Sequence, residues 1–314
     1  MASLRPILSD PETARRLAHR AIQGRNAPAP ETAWSLAAVD REIDAGNAPG
    51  VLRMEGERPV GVALWEPRSE TGAALELLYL EPGRQTPEEY LRFFADVRRK
   101  AGPILFAPGL LAGLSEADES ALMGSLGFAR YARSEMRADL AAAPVPIEPP
   151  GRWTIRPAVP EDLPALARLH EVAYRGTFDR YLFMVYTDPR KDAELALRDI
   201  FSGRWGELLA WASMVSDEDG ELRAACLVTR ASDGPILVNV IVDPRYWGEG
   251  RGRAVVVASL RALRERDEPF VLLTVTEGND RAKRLYERLG FVRSQGPSSA
   301  WYSAERIPVP PRPD

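Results

Sequence analysis

Two α/β domains in tandem, each a mixed sheet with helices packed on it, are what this sequence predicts, and three observations predict it. The chain has 314 residues, more than one hydrophobic core usually serves, so two domains of about 150 residues are the natural division. The stretch AAAPVPIEPPGR, Ala141 to Arg152, carries four prolines and no hydrophobic period. It reads as a semi-rigid linker, 141–152, between residues 1–140 and 153–314. Short segments also recur at nearly constant spacing. GERPVGVAL from Gly56 and GELRAACLV from Gly220 lie 164 residues apart, LYLEP and VIVDP end 162 apart at Pro82 and Pro244, and LGF at Leu126 returns 163 later at Leu289. Such matched offsets point to one fold present twice.

The second half justifies the class element by element. Apolar alternation or continuous apolar runs predict strands at Trp153–Arg156, Leu208–Met214, Leu222–Arg230, Pro235–Val242 and Phe270–Val275. Helical spacing predicts helices at Glu161–Gly176, Asp188–Gly203, Gly250–Arg266 and Asn279–Leu289, the third most clearly in RAVVVASLRALRER. One or two closing strands follow. Strands and helices in this order form a mixed α/β sheet with helices on its faces.

Composition narrows the function. A net charge of −4 argues against nucleic acid as a partner, because phosphate backbones select positive surfaces. One cysteine, Cys226 in the apolar run AACLV, excludes an intrachain disulfide, and two histidines, His19 and His170, make no metal-ligand pattern. Cys226 is expected as a buried small hydrophobe and each histidine as a solvated or half-buried helix residue; no metal is expected. The N-terminus lacks the apolar core of a signal peptide and no run of about 18 apolar residues occurs, so a cytoplasmic protein with no membrane partner is expected. The closing IPVPPRPD reads as a frayed tail.

The chemistry is concentrated in IVDPRYWGEGRGRAVVVASL, Ile241 to Leu260. A buried strand ends at a proline, and a turn with Gly248, Gly250 and Gly252 opens a helix. Glycines let an anion approach the main-chain amides, and the first helical N–H groups, which lack internal partners, add the positive end of the helix dipole. Arg251 and Arg253 place charge beside them. Downstream, TVTEGNDRAKRLYERLGF makes Asn279 a helix N-cap, sets Ala282, Tyr286 and Leu289 on one helical stripe, and ends the helix at a glycine.

A strand, a [QR]-x-x-G-x-[GA] loop opening a helix, and then N-x-x-A-x-x-L-Y-x-x-L-G-F together resemble the GNAT superfamily of N-acetyltransferases. The specific motifs span Ile241 to Phe291, while the element order is matched across the second half. The resemblance implies an enzyme that uses acetyl-CoA as cosubstrate and a small-molecule amine as acceptor, by direct attack in a ternary complex. It implies that the CoA pyrophosphate lies on the amides around Gly248, Gly250, Arg251, Gly252, Arg253 and Ala254. The pantetheine arm would pair with the main chain of Val240 and Val242, Asn279 would touch that arm, and Tyr286 would protonate the leaving thiolate. Trp247 stands where the family has glutamine or arginine, which implies a weaker phosphate site. No dedicated base is evident: the neighbouring strands offer Asn239, Thr274 and, distally, Glu277 or a water relay. The aromatic stretch AYRGTFDRYLFMVY, ending at Tyr186, lies where such enzymes bind the acceptor. Two-copy layouts of this length also resemble mycothiol synthases.

In the first half a 162-residue offset places Thr86, Glu88 and Tyr90 opposite Gly248, Gly250 and Gly252, and a 163-residue offset places Glu116 opposite Asn279 and Met123 opposite Tyr286. Side chains and negative charge then occupy the place of the diphosphate, so the first copy is expected to keep the fold without the CoA site. It would buttress the second copy or shape the acceptor cleft. Two alternatives stand beside a catalyst: a non-catalytic acyl-CoA-binding or regulatory protein, and an aminoacyl-tRNA-dependent transferase of doubled fold, which the acidic chain and intact glycine loop disfavour.

Overall fold

A computed structural model describes residues 2–23, 36–69, 72–108, 111–142, 153–175, 177, 179, 189–231, 234–294 and 299–303. In chain order its elements are β1 (Ala2–Pro6), α1 (Pro11–Gln23), α2 (Leu36–Asp44), β2 (Gly50–Glu55), β3 (Arg58–Ser69), β4 (Gly72–Leu80), α3 (Pro87–Ala101), β5 (Ile104–Pro108), α4 (Glu116–Ser125) and β6 (Ala129–Asp139). Then follow β7 (Thr154–Pro157), α5 (Leu163–Tyr174), α6 (Pro189–Phe201), β8 (Glu207–Leu208), β9 (Met214–Glu218), β10 (Glu221–Ala231), β11 (Gly234–Val242), α7 (Arg251–Arg264), β12 (Phe270–Thr276), α8 (Asp280–Arg288), β13 (Val292–Arg293) and β14 (Ser299–Ser303).

The chain forms two compact units, Met1–Ala132 with Pro297–Asp314, and Arg133–Gly296. In the first unit β1 through β4 are antiparallel neighbours, β5 joins β4 in parallel, and β14 closes on β5. In the second, β7, β9, β10 and β11 are antiparallel neighbours, β12 joins β11 in parallel, and residues 133–139 of β6 close on β12. Each sheet is thus antiparallel with one parallel pair, and each carries a core on both faces. In the second unit α7 and α8 pack through Val255, Val256, Leu260 and Leu289 on one face, while α5 and α6 pack through Leu166, Leu169, Leu197 and Ile200 on the other. The first unit repeats this layering, with α3 and α4 on one face and α1 and α2 on the other.

The linker-based division assigns residues 133–139 to the first half and β14 to the second. Hydrogen bonding assigns them the other way, because a strand belongs to the sheet that satisfies its backbone. The strand expected over Leu208–Met214 is broken: Ala212 N and Ser213 N both bond back to Leu209 O, and the Ser213 hydroxyl accepts from Val228 N, so a turn separates β8 from β9. Among the described residues no helix is long and apolar enough to cross a membrane.

Cys226 is fully buried, and burial pushes its thiol up to about 12. Of the two histidines, His19 is as expected and His170 is not. His19 is half-buried and pairs with Asp40 at 2.8 Å. His170 is buried on α5 against Tyr174, ring centroids 4.4 Å apart, and loss of solvent pulls its pKa from 6.5 to about 3. The folded pKa lies below the unfolded one, so the unfolded chain takes up this proton first. Stability from this group is therefore complete above about pH 6.5 and is lost as pH falls toward 3, at about 1.4 kcal/mol per pH unit. Urea midpoints compared near neutral pH and near pH 5 should fall more steeply for the parent than for His170→Gln; parallel decline would place the acid sensitivity elsewhere.

Candidate active site

The site is built in the second unit where β11 and β12 part. Their parallel pairing is confined to Ile236 with Leu272 and Leu237 with Leu273, although β11 continues to Val242 and β12 to Thr276. A bulge contributes: Leu227 pairs with Asn239 but Val228 with Leu237, so Val238 is an inserted residue that bends the strand. Beyond it β11 stays bonded to β10, and no described strand pairs its other edge, which leaves peptide groups there for a ligand.

At its end β11 meets Asp243, whose carboxylate accepts from Arg245 N at 3.0 Å and from the Arg245 guanidinium at 2.6 Å; those bonds hold it below the usual carboxylate range. The glycine turn follows, and its glycines serve different ends. Gly248 and Gly250 have φ of 89° and 82°, the left-handed region that disfavours side chains. Gly252 has ordinary φ, but a Cβ there would stand 2.9 Å from Val242 Cγ2, so it sets the close approach of α7 to β11. Gly250 is the N-cap of α7 and offers no side-chain acceptor. Ala254 N bonds to Gly250 O at 2.9 Å, while the amides of Arg251, Gly252 and Arg253 are first-turn donors beyond the reach of helical carbonyls. Together with the helix dipole these amides suit an anion.

The guanidinium of Arg251 does not serve it. Arg251 is fully buried, ion-paired to Glu218 at 2.8 Å and Glu249 at 3.1 Å, and stacked between Trp153 and Tyr246 at 5.0 and 4.7 Å. Its charge is neutralised inside the unit, which corrects the expectation that it lends charge to the loop; only its amide remains there. Arg253 is exposed. Trp247 is 46% exposed, its indole N–H donates to Val242 O at 3.3 Å, and the Arg281 guanidinium lies 4.1 Å over its ring. One carbonyl expected to meet a ligand, that of Val242, is therefore already in use. Stacking withdraws part of the Arg281 head from water and lowers its pKa.

Asn279 is the N-cap of α8, as its type and position predict: Oδ1 accepts from Ala282 N at 3.2 Å. Its Nδ2 donates to Asp179 at 3.3 Å, and the other Asp179 oxygen accepts from the Thr276 hydroxyl at 2.5 Å. Asp179 thus stands at the mouth of the splay, held by the end of β12 and the start of α8. Most of the expected acceptor segment lies outside the described residues, but Asp179 is its single acidic residue, and that was the signal that could have identified it. Glu277 is otherwise engaged. Burial raises its pKa, but Lys283, Ser134 and Arg293 outweigh that and bring it below the usual range. A carboxylate so paired is a poor proton acceptor. Tyr286 is 7% exposed and packs on Phe291 at 5.7 Å between centroids. Asn239 is buried against Tyr174, its Nδ2 3.4 Å from the phenol oxygen.

The first unit has the same elements with the anion site closed. Thr86 caps α3 by accepting from Glu89 N, Gln85 Nε2 donates to Leu80 O at 2.8 Å, and Tyr90 donates to Ala112 O at 2.9 Å. Glu89 pairs with Arg53 at 2.6 Å. The helix caps Thr86 and Gly250 correspond, as do the caps Ser115 and Asn279. The first turn is therefore two residues shorter than the constant offset assumed, and Glu88 rather than Tyr90 takes the place of Gly252.

Comparison with known proteins agrees with this geometry. Residues 163–291 match the acetyltransferase (GNAT) family. The chain is 29% identical over 267 residues to a mycothiol acetyltransferase of Thermomonospora curvata, covering 80% of this chain and 81% of that one. It is 50% identical over 64 residues to a mycothiol acetyltransferase of Thermobispora bispora, covering 20% and 22%. In fold it is similar to a tandem GNAT protein from the clavulanic acid biosynthesis pathway, with TM-score 0.61 at 16% identity over 98% of this chain and 100% of that one. It is also similar to a GCN5-related N-acetyltransferase from Sphaerobacter thermophilus, with TM-score 0.57 at 19% identity over 97% and 96%. With the glycine turn and the splayed strands, the second unit carries an acetyltransferase (GNAT) family domain over residues 163–291, in a chain whose doubled fold matches that of a tandem GNAT protein.

Proposed function

We propose that the protein transfers an acetyl group from acetyl-CoA to the primary amine of a small molecule, by direct attack in a ternary complex in the second unit. The splay of β11 from β12 beside an uncapped helix N-terminus is the observation that carries this reading. The diphosphate rests on the amides of the turn from Gly248 to Arg253, the Ala254 amide, expected to join them, being held by Gly250 O, and the pantetheine arm on the free edge of β11 at Val240 and the Val242 amide. The amine nitrogen attacks the thioester carbonyl carbon, and strand amides stabilise the oxyanion. As the C–S bond breaks, the Tyr286 phenol gives its proton to the thiolate. Asp179, rather than Glu277, receives the proton lost by the amine. The name of the curated relatives favours acceptors of the mycothiol class. The first unit, whose corresponding helix start is already capped, takes no CoA.

Thiol release measured with a panel of amines tests the activity; CoA binding without turnover on any amine would favour the non-catalytic reading. Asp179→Asn should lower kcat about a hundred-fold at neutral pH, with partial recovery at high pH where the free amine is already deprotonated. Its CoA Kd should move little, since the amide still accepts from Thr276. A pH–rate profile parallel to the parent's would remove Asp179 from the role of base.

A further inference from the structure

The loop-head tryptophan poses a problem of charge. Around the turn, Arg245 is tied to Asp243, Arg223 reaches Glu221 and Asp243 at 3.8 Å, and Arg251 is buried between Glu218 and Glu249. A diphosphate docking there would meet cations already neutralised. Among the described residues only Arg253 and Arg281 near the turn lack a carboxylate partner, and Arg281 has a distinctive setting. It lies in the first turn of α8, one helical turn before Leu285, on the same face. Leu285 Cδ2 comes within 3.9 Å of the Cβ position at Gly252, and the Arg281 guanidinium lies over Trp247. That face of α8 therefore runs along the turn from residue 247 to residue 252.

Trp247 is suited to be a platform. Its indole N–H is anchored on Val242 O, which fixes the ring although 46% of the residue is exposed. A guanidinium stacked on an indole keeps its in-plane N–H groups free for an anion and is attracted by the ring face. A tryptophan at the head of the loop thus exchanges a polar side chain for a support that holds a cation supplied by another helix.

We propose that Trp247 and Arg281 form one phosphate-binding element, in which the tryptophan presents the arginine to a phosphate group of CoA beside the glycine turn. The pair supplies the charge that the loop head lacks, so the substitution at that head does not weaken the site. This rests on the second unit taking CoA. Two groups of that ligand carry the required chemistry, the diphosphate and the ribose 3′-phosphate, and dephospho-CoA separates them.

Titration calorimetry on the full chain with CoA and with dephospho-CoA tests it. Arg281→Gln and Trp247→Ala should each raise the Kd for CoA about ten-fold, the loss of one charge-assisted phosphate contact. The double variant should be little worse than either single one, because the residues act as a unit. A penalty that disappears with dephospho-CoA assigns the 3′-phosphate; one that persists assigns the diphosphate. Both side chains are exposed, so the variants should fold, and thermal melts will verify this. Parent-like CoA affinity in Arg281→Gln, or fully additive losses in the double variant, overturns the pair while leaving the donor assignment standing. A parent protein that binds no CoA overturns both.

Discussion

Tyr286→Phe should lower kcat about a hundred-fold or more while leaving CoA affinity and stability near those of the parent. The substitution keeps the ring that packs on Phe291 in the core shared by α7 and α8 and removes only the hydroxyl that would protonate the leaving thiolate. The decisive measurement is single-turnover chemistry beside a CoA titration and a thermal melt. Unchanged turnover would return Tyr286 to an ordinary core tyrosine. A combined loss of turnover and melting temperature would show that the hydroxyl serves the fold instead, through a buried hydrogen bond.

Arg251→Ala should be the most destabilising single change in the second unit, at about 3–5 kcal/mol, because it strands two carboxylates beside a cavity. Arg251 is fully buried, pairs with Glu218 and Glu249, and is enclosed by Trp153 and Tyr246. For a unit of this size that corresponds to a fall in Tm of about 10 °C. Adding Glu218→Gln should recover part of the loss, since one orphaned charge is then removed. Below the melt, Arg251→Ala should bind CoA nearly as the parent does, because its side chain does not reach the ligand face. A large loss of affinity at unchanged Tm would mean that the guanidinium turns toward phosphate when CoA binds.

Much of the fold was legible because it is written in local pattern. The Pro235–Val242 strand, the helix from Gly250 and the Asn279 cap each depend on neighbours within a few residues, and all appear where periodicity and residue type put them. The second-half strand at 208–214 failed because a hydroxyl, that of Ser213, satisfies backbone groups that a continuous strand would have used. The correspondence between halves slipped by two residues because a constant offset cannot register a shortened loop.

By itself the sequence determined the doubled α/β fold, the glycine turn that opens α7, the loss of that turn in the first copy and the family that residues 163–291 match. These follow from spacing along one chain, where backbone conformation and helix capping are decided. Tertiary structure alone decided which charges are available. It buried Arg251 between two glutamates, set Arg281 over Trp247, and brought Asp179 to Thr276 and Asn279 across roughly a hundred residues. It also decided which sheet residues 133–139 and β14 complete. Ion pairs, stacking and strand partners depend on distances through space, and no residue count along the chain encodes them.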